Sequence, residues 1–332
     1  MKRSRLVVVA AGSVVGLGLA LALGALVLDP ARAYVGPMPA EGLVLPADAK
    51  FVMGLDVKRF VQSPFYERYA RQGGKPASFG DLEEKTGLDP ARDVDQVIIA
   101  GRPDQGNDGA VVLVRGRFDR YKLSRAIETR EKGVTSKKHE GNTLYLFNEG
   151  RKGAGALAFL GNDDDLLVMG SQKAVEAAVT SHFQGQTPLK QNTALLALLE
   201  RVKPGSTFWV VGDQSLLAQM PNAKGGPTAG MQIPQLKGLL VTGELDPLVT
   251  LDVIGDAVDA KGATQLAQMV QGLIAFGTMQ AAQKPELKDL PNAFSVTTEG
   301  SSVHLSARLP YELVDALQGP KKAVAPPPAA SN

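Results

Sequence analysis

The sequence has no cysteine, a single tryptophan and only three histidines. Without cysteine there are no disulfides, no thiolate catalysis and no Cys-based zinc or iron–sulfur centre, and the acylated cysteine that a lipoprotein carries after its signal is missing too. Histidine does not fill the gap. His139, His182 and His304 lie far apart, and no pair has the spacing that sets two imidazoles on one face of a helix or strand. Charge of one sign is also lacking: 36 Lys+Arg against 34 Asp+Glu leaves a net +2, too weak a field to draw the chain onto nucleic acid. No Gly-x-Ser-x-Gly elbow, phosphate-cradling loop or dinucleotide fingerprint occurs in the part after the N-terminal apolar run. The sequence therefore nominates no catalytic, cofactor-binding or metal-ligating residue, and the expected cofactor set is empty.

What is present begins at the N-terminus. Lys2, Arg3 and Arg5 precede an uncharged run from Leu6 to Leu28, closed by Asp29-Pro30. In helical form that run spans about 35 Å, enough to cross a hydrocarbon core about 30 Å thick. The short basic flank stays cytoplasmic, so the remainder is exported: a single pass, N-in, through a bacterial inner membrane with the globular part on the periplasmic side. Ala31-Arg32-Ala33 has the small-x-small form of a cleavage site, and cutting after Ala33 would release the protein to the periplasm. The run is longer than the 7–15 apolar residues usual in a signal peptide, which favours a retained anchor over 1–33. Residues 34–49, rich in Pro, Gly and Ala, read as a spacer.

From Phe51 onward, hydrophobic periodicity and turn residues alternate in a regular order. Phe51 to Leu55 is an apolar strand whose Asp56 caps the following turn, and Ser63-Pro64 opens a helix presenting Phe65, Tyr66 and Tyr69 to a core. Asp81 to Thr86 reads as a short helix. A hairpin over Val97 to Gly101 and Ala110 to Phe118 precedes a helix capped by Asp119. A second hairpin over Ala156 to Leu160 and Leu166 to Met169 precedes a helix from Gln172 to Phe183 capped by Ser171. Asn192 caps the leucine-rich helix Thr193 to Val202. Then the pattern restarts. Phe208 to Asp213 repeats the apolar run ending in Gly and Asp, a hairpin turns at Asp246-Pro247, Asp259 caps a long helix, and a last hairpin leads to a helix from Tyr311 to Gln318. The expected fold class is α+β: tandem duplicated β-α-ββ-α-ββ-α units over residues 46–203 and 204–318, with mainly antiparallel sheets covered by helices on one face. Gly262 to Gln283 carries no charge, but its five glutamines argue for an amphipathic helix on the sheet, not a second span. Residues 319–332, punctuated by Pro320, Pro326, Pro327 and Pro328, read as a disordered tail.

Three stretches carry a resemblance: Leu45-Pro46-Ala47-Asp48-Ala49-Lys50-Phe51-Val52, Thr86-Gly87-Leu88-Asp89-Pro90 with Asp93 to Val97, and Leu166 to Ser171 with its helix. Together they resemble a group of uncharacterised exported or membrane-anchored bacterial envelope proteins with duplicated α+β halves. The resemblance implies an envelope location and no particular activity.

Acidic clusters at Asp89, Asp93 and Asp95 and at Asp163-Asp164-Asp165 lack the alternating ligands, central glycine and closing glutamate of a calcium loop, and read as caps and turns. The most uneven charge runs from Arg115 to Lys138, nine bases against three acids. Arg115 and Arg117 alternate onto one strand face, and Arg120, Lys122, Arg125 and Arg130 follow on the next helix, a candidate patch for an anionic lipid or an acidic envelope partner. Nucleic acid is not expected, since the region lacks interleaved aromatics. The sequence thus points to a non-catalytic, membrane-anchored envelope protein that binds a partner or has a structural role, through its membrane segment Leu6 to Leu28 and this patch. The alternative is an envelope hydrolase whose acid pair is assembled from distant residues.

Overall fold

The computed structural model describes residue 38 and residues 40–318, except 71–88, 103, 106–108, 131–132, 149–153, 162–164, 220–232 and 282–284. Among the described residues there are twelve strands: β1 Phe51–Asp56, β2 Val94–Gly101, β3 Ala110–Gly116, β4 Thr135–His139, β5 Asn142–Phe147, β6 Gly155–Phe159, β7 Leu166–Gly170, β8 Phe208–Gly212, β9 Leu236–Glu244, β10 Val249–Ala257, β11 Phe294–Glu299 and β12 Ser302–Leu309. They form a single sheet in the order β11-β12-β10-β9-β8-β1-β2-β3-β7-β6-β5-β4. Every neighbouring pair is antiparallel. Helices α1 Val57–Gln62, α2 Arg120–Arg130, α3 Gln172–Phe183, α4 Thr193–Leu199, α5 Ala260–Ala281 and α6 Tyr311–Gln318 lie over it. The molecule is α+β, and one sheet replaces the separate sheets expected for two halves.

Helix starts follow local chemistry. Orphan N–H groups of the first turn are taken by side-chain oxygens: Asp56 accepts from Arg59 at 2.9 Å, Asp119 from Lys122 at 2.9 Å, Ser171 from Ala174 at 3.4 Å, Asn192 from Leu195 at 3.1 Å and Asp259 from Gly262 at 2.7 Å. All five are read from the sequence, as is Ser63, whose Oγ accepts from Tyr66 N at 3.3 Å.

At the centre, β1 and β8 are apolar on both faces, the pattern of strands covered on each side. Glycine opposite an aromatic ring sets their register. Gly54 pairs with Trp209, whose indole lies so close that a Cβ on Gly54 would sit 2.4 Å from it; Gly243 of β9 pairs with Phe208, whose ring would be 2.1 Å away. Each ring fills the space its cross-strand glycine leaves, locking β1, β8 and β9 side by side.

Helices cover both faces of the sheet, contrary to the one-face expectation. One layer packs Val52, Ile98, Leu113, Val168 and Trp209 against α3, α4 and the short helical turns Ala40–Val44 and Pro188–Gln191. The other packs Phe51, Leu55, Ile99 and Phe159 against α1, α2 and Tyr311 of α6. Aromatic rings from the turn after Ser63 join that layer: Phe60 lies 5.7 Å from Tyr66, and Tyr69 lies 6.3 Å from Tyr311. α5 covers the same face farther along, because Val303 beneath it is linked through the directly opposed residues Gly255, Leu239 and Gly212 to Phe51. On the opposite face β10, β12 and β11 carry Asp252, Ser306, His304 and Thr297, and this part of the sheet is polar.

Lys137 and Lys138, read as a turn, lie in the edge strand β4. All but the last residue of that strand are exposed, so it lacks the apolar alternation that marks a strand in sequence. Asp81 to Thr86, the run Leu6 to Leu28 and residues 319–332 lie outside the described residues. Among the described residues no helix is long and apolar enough to cross a membrane, and α5 packs on the sheet as an amphipathic helix.

Candidate functional surface

The basic patch starts where β3 ends. Gly116 closes the strand because Asp93 O would lie 2.0 Å from any Cβ there, and the chain is clasped by Gly116 N donating to Asp165 O and Arg117 N donating to Asp93 O. The strand stops before Arg117, so Arg115 and Arg117 do not share a strand face as expected. Arg115 lies on the side of Val111 and Leu113, one-fifth exposed, and donates to Glu41 at 3.1 Å and Asp165 at 3.2 Å. Those pairs pin the first turn of the fold to the β6–β7 connection.

The α2 part of the patch lies on the opposite side. Leu123 and Ile127 of α2 pack into the layer of Phe51 and Phe159. Arg120 stands with its guanidinium 5.0 Å from the Phe159 ring centroid and donates to Asn142 Oδ1 at 3.0 Å. Lys122 pairs with Asp119 at 2.9 Å, and Arg117 donates to Arg92 O at 3.3 Å. Arg125 is exposed on the outer side of α2, and Arg130 ends the helix. Lys137 is paired with Glu176, whose carboxyl is held below its usual range by that contact and by Gln172. A sheet therefore divides the candidates, and internal partners occupy several of them.

Asn142 was missed by sequence reading. It is buried, its amide donates to Phe159 O, and its Oδ1 accepts from Arg120 and from Thr143 N. In sequence it follows Glu140-Gly141, both with positive φ, and looks like one more turn residue.

The acidic clusters serve as caps and pairs. Asp89 accepts from Ala91 N, Asp93 accepts from Asp89 N at 2.8 Å, and Asp95 lies 2.9 Å from the Lys58 ammonium without hydrogen-bond alignment. Asp163 and Asp164 lie outside the described residues. His139 shares a 2.8 Å hydrogen bond with Thr180, His182 stands edge-on to Phe183, and His304 faces Ile254 and Thr297 across the strands. Among the described residues no three His, Asp or Glu side chains converge as a metal site.

Two carboxylates shift in opposite directions. Burial pushes Asp56 up, and the Arg59 N–H and the charges of Arg59 and Lys58 only partly offset it. Burial acts the same way on Asp256, but Arg201 and Ser302 overcome it and hold that carboxyl below its usual range. A raised pKa in the folded state means that Asp56 stabilises the fold more when protonated, and this contribution fades as pH rises through its folded pKa; Asp256 does the reverse, its contribution being lost as pH falls through its own. Asp56→Asn keeps a capping oxygen without the half-buried charge, so its stability at pH 7 is expected to equal or exceed that of the parent. Asp56→Ala is expected to lose about 1 kcal/mol, the usual worth of a cap. Urea midpoints at pH 7 decide it, and an Asn variant as weak as the Ala variant would contradict the assignment.

No family model and no curated protein matches the chain. It is similar to two solved chains of TP0453, crystal forms I and IV, each 13% identical and matched over 86% of this chain and 98% of that one; with TM-scores of 0.47 and 0.45, these likenesses carry no weight for fold or function.

Proposed function

We propose that this protein is a non-catalytic binding or structural module of a bacterial envelope, held at the outer face of the inner membrane by Leu6 to Leu28. The observation that carries this reading is the N-terminal run itself: three bases, then an uncharged stretch long enough to span, then a folded domain. The charge arrangement supports it. Arg115, Arg120, Lys58 and Lys137 hold elements of the fold together, while Arg125 on the outer side of α2 is available to an anionic partner. Capture of the full chain from detergent-solubilised membranes tests the reading. A stoichiometric partner, weakened by Arg125→Glu and by raised salt, is the expected result; hydrolytic activity retained by the isolated chain would favour an enzyme instead.

We also propose that the two halves arose by duplication. The order β1-β2-β3-β7-β6 has its counterpart in β8-β9-β10-β12-β11, with hairpin β4–β5 as an addition at the outer edge. If Phe51 is equivalent to Phe208, the β1–β8 pairing is symmetric: Phe51 meets Gly212, Leu55 meets Phe208, and Met53 meets Val210 on the local dyad. Asp56 and Asp213 then cap equivalent turns, and Asp119 and Asp259 equivalent helices. The final helices depart from the symmetry, since α3 and α6 pack on opposite faces. An experimental structure with a different strand order in either half would remove this support.

A further inference from the structure

The sheet has two edges, and they are built differently. At one, β4 reads Thr-Ser-Lys-Lys-His, and its lysines are the charges that commonly keep an edge strand from pairing with another chain. At the other, β11 reads Phe-Ser-Val-Thr-Thr-Glu, rich in strand-forming residues, with no lysine and no proline. Ser295, Thr297, Thr298 and Glu299 are exposed, and among the described residues no strand lies beyond β11. We propose that β11 is a self-association edge, onto which a second copy of this chain adds its own β11 antiparallel, continuing the sheet.

Backbone geometry fits the pairing. The two-residue turn Gly300–Ser301 makes Glu299 and Ser302 a mutually hydrogen-bonded pair, so alternation turns the N–H and C=O of Thr298 and Val296 outward. Two copies related by a dyad at Val296 or Thr297 set uncharged residues opposite uncharged ones, and Glu299 falls opposite Ala293 or Ser295 of the second copy, never opposite itself. A heterologous strand would need no such self-complementarity. The dyad stands perpendicular to the sheet, so both copies present the same face to the same side. Met38 and the turn Ala40–Val44 lie in the layer of Val52 in each copy, so the first described residues of both copies lie on one side of the sheet, as suits two copies rooted in one membrane. That last point rests on the proposed anchor; the edge chemistry does not.

The test uses the full chain in detergent, where the absence of native cysteine makes introduced thiols unambiguous. Dyads at Thr297 or Val296 bring Thr297 opposite itself or opposite Ser295 as a closely spaced pair. Oxidation is expected to link the Thr297→Cys variant to itself, or to link it to Ser295→Cys when the two are mixed, and to leave Ser136→Cys on β4 unlinked. The mass of the full chain, 35.0 kDa as a monomer, is expected to double, and two variants are each expected to weaken the dimer by about tenfold or more: Thr298→Pro by removing an outward N–H from the ladder, and Thr298→Lys by setting an ammonium group against the uncharged residue of the second copy. A monomeric parent, or linkage through β4, would overturn the proposal. So would a dimer that ignores both Thr298 variants, including one that disappears only when residues 1–33 are removed. A monomer that still sediments with membranes would sink the edge and leave the anchor standing.

Discussion

Replacing Trp209 with alanine is expected to cost about 3–5 kcal/mol of stability, the range for truncating a buried aromatic residue. The side chain is buried in the middle of the sheet, on β8 between β1 and β9, and its indole occupies the space above Gly54. Gly54→Ala should be damaging by itself, because a Cβ 2.4 Å from the ring must displace it; overpacking of this kind costs about 1–3 kcal/mol. The two effects are linked by geometry. With Trp209 already alanine, the new methyl at residue 54 enters vacated space, so the cost of Gly54→Ala is expected to shrink, giving a coupling of about 0.5–3 kcal/mol. Since Trp209 is the only tryptophan, unfolding of all four proteins is followed by circular dichroism. Strict additivity would show that the indole does not rest on Gly54.

The second large effect concerns location. The full chain is expected to sediment with membranes and resist extraction by salt or carbonate, and a chain lacking residues 1–33 is expected in the soluble fraction. An apolar stretch as long as Leu6 to Leu28 holds a protein far more firmly than a surface contact or a single lipid chain can. Exchanging Lys2, Arg3 and Arg5 for acids is expected to weaken the N-in orientation, because flanking Lys and Arg set it. N-terminal sequencing separates anchor from signal. A mature chain that begins at Tyr34 and is found free in the soluble fraction would overturn retention.

Much of the candidate surface was legible only as composition. Nine bases between Arg115 and Lys138 are visible in the sequence, but their partners are not: Glu41 is 74 positions from Arg115 and Asp165 is 50 away. Ion pairs carry no local mark, because any carboxylate brought close by folding serves. The same holds for Asp256, whose partner Arg201 comes from the loop before β8.

By itself the sequence determined what depends on a few adjacent residues. Asp56, Asp119, Ser171, Asn192 and Asp259 cap helices because their oxygens reach an N–H three residues on, and Tyr311 to Gln318 is helical as read. The runs Phe51 to Leu55 and Phe208 to Gly212 are strands because apolar residues need both faces covered. Tertiary structure alone decided which strands meet. Backbone hydrogen bonds are chemically alike along every strand, so nothing in Phe51 to Asp56 names β8 as its neighbour; the fit of Trp209 over Gly54 does, and it exists only once the strands lie side by side. That pairing joins two halves into one twelve-stranded sheet, spreads the basic residues over its two sides, and leaves β11 at its margin.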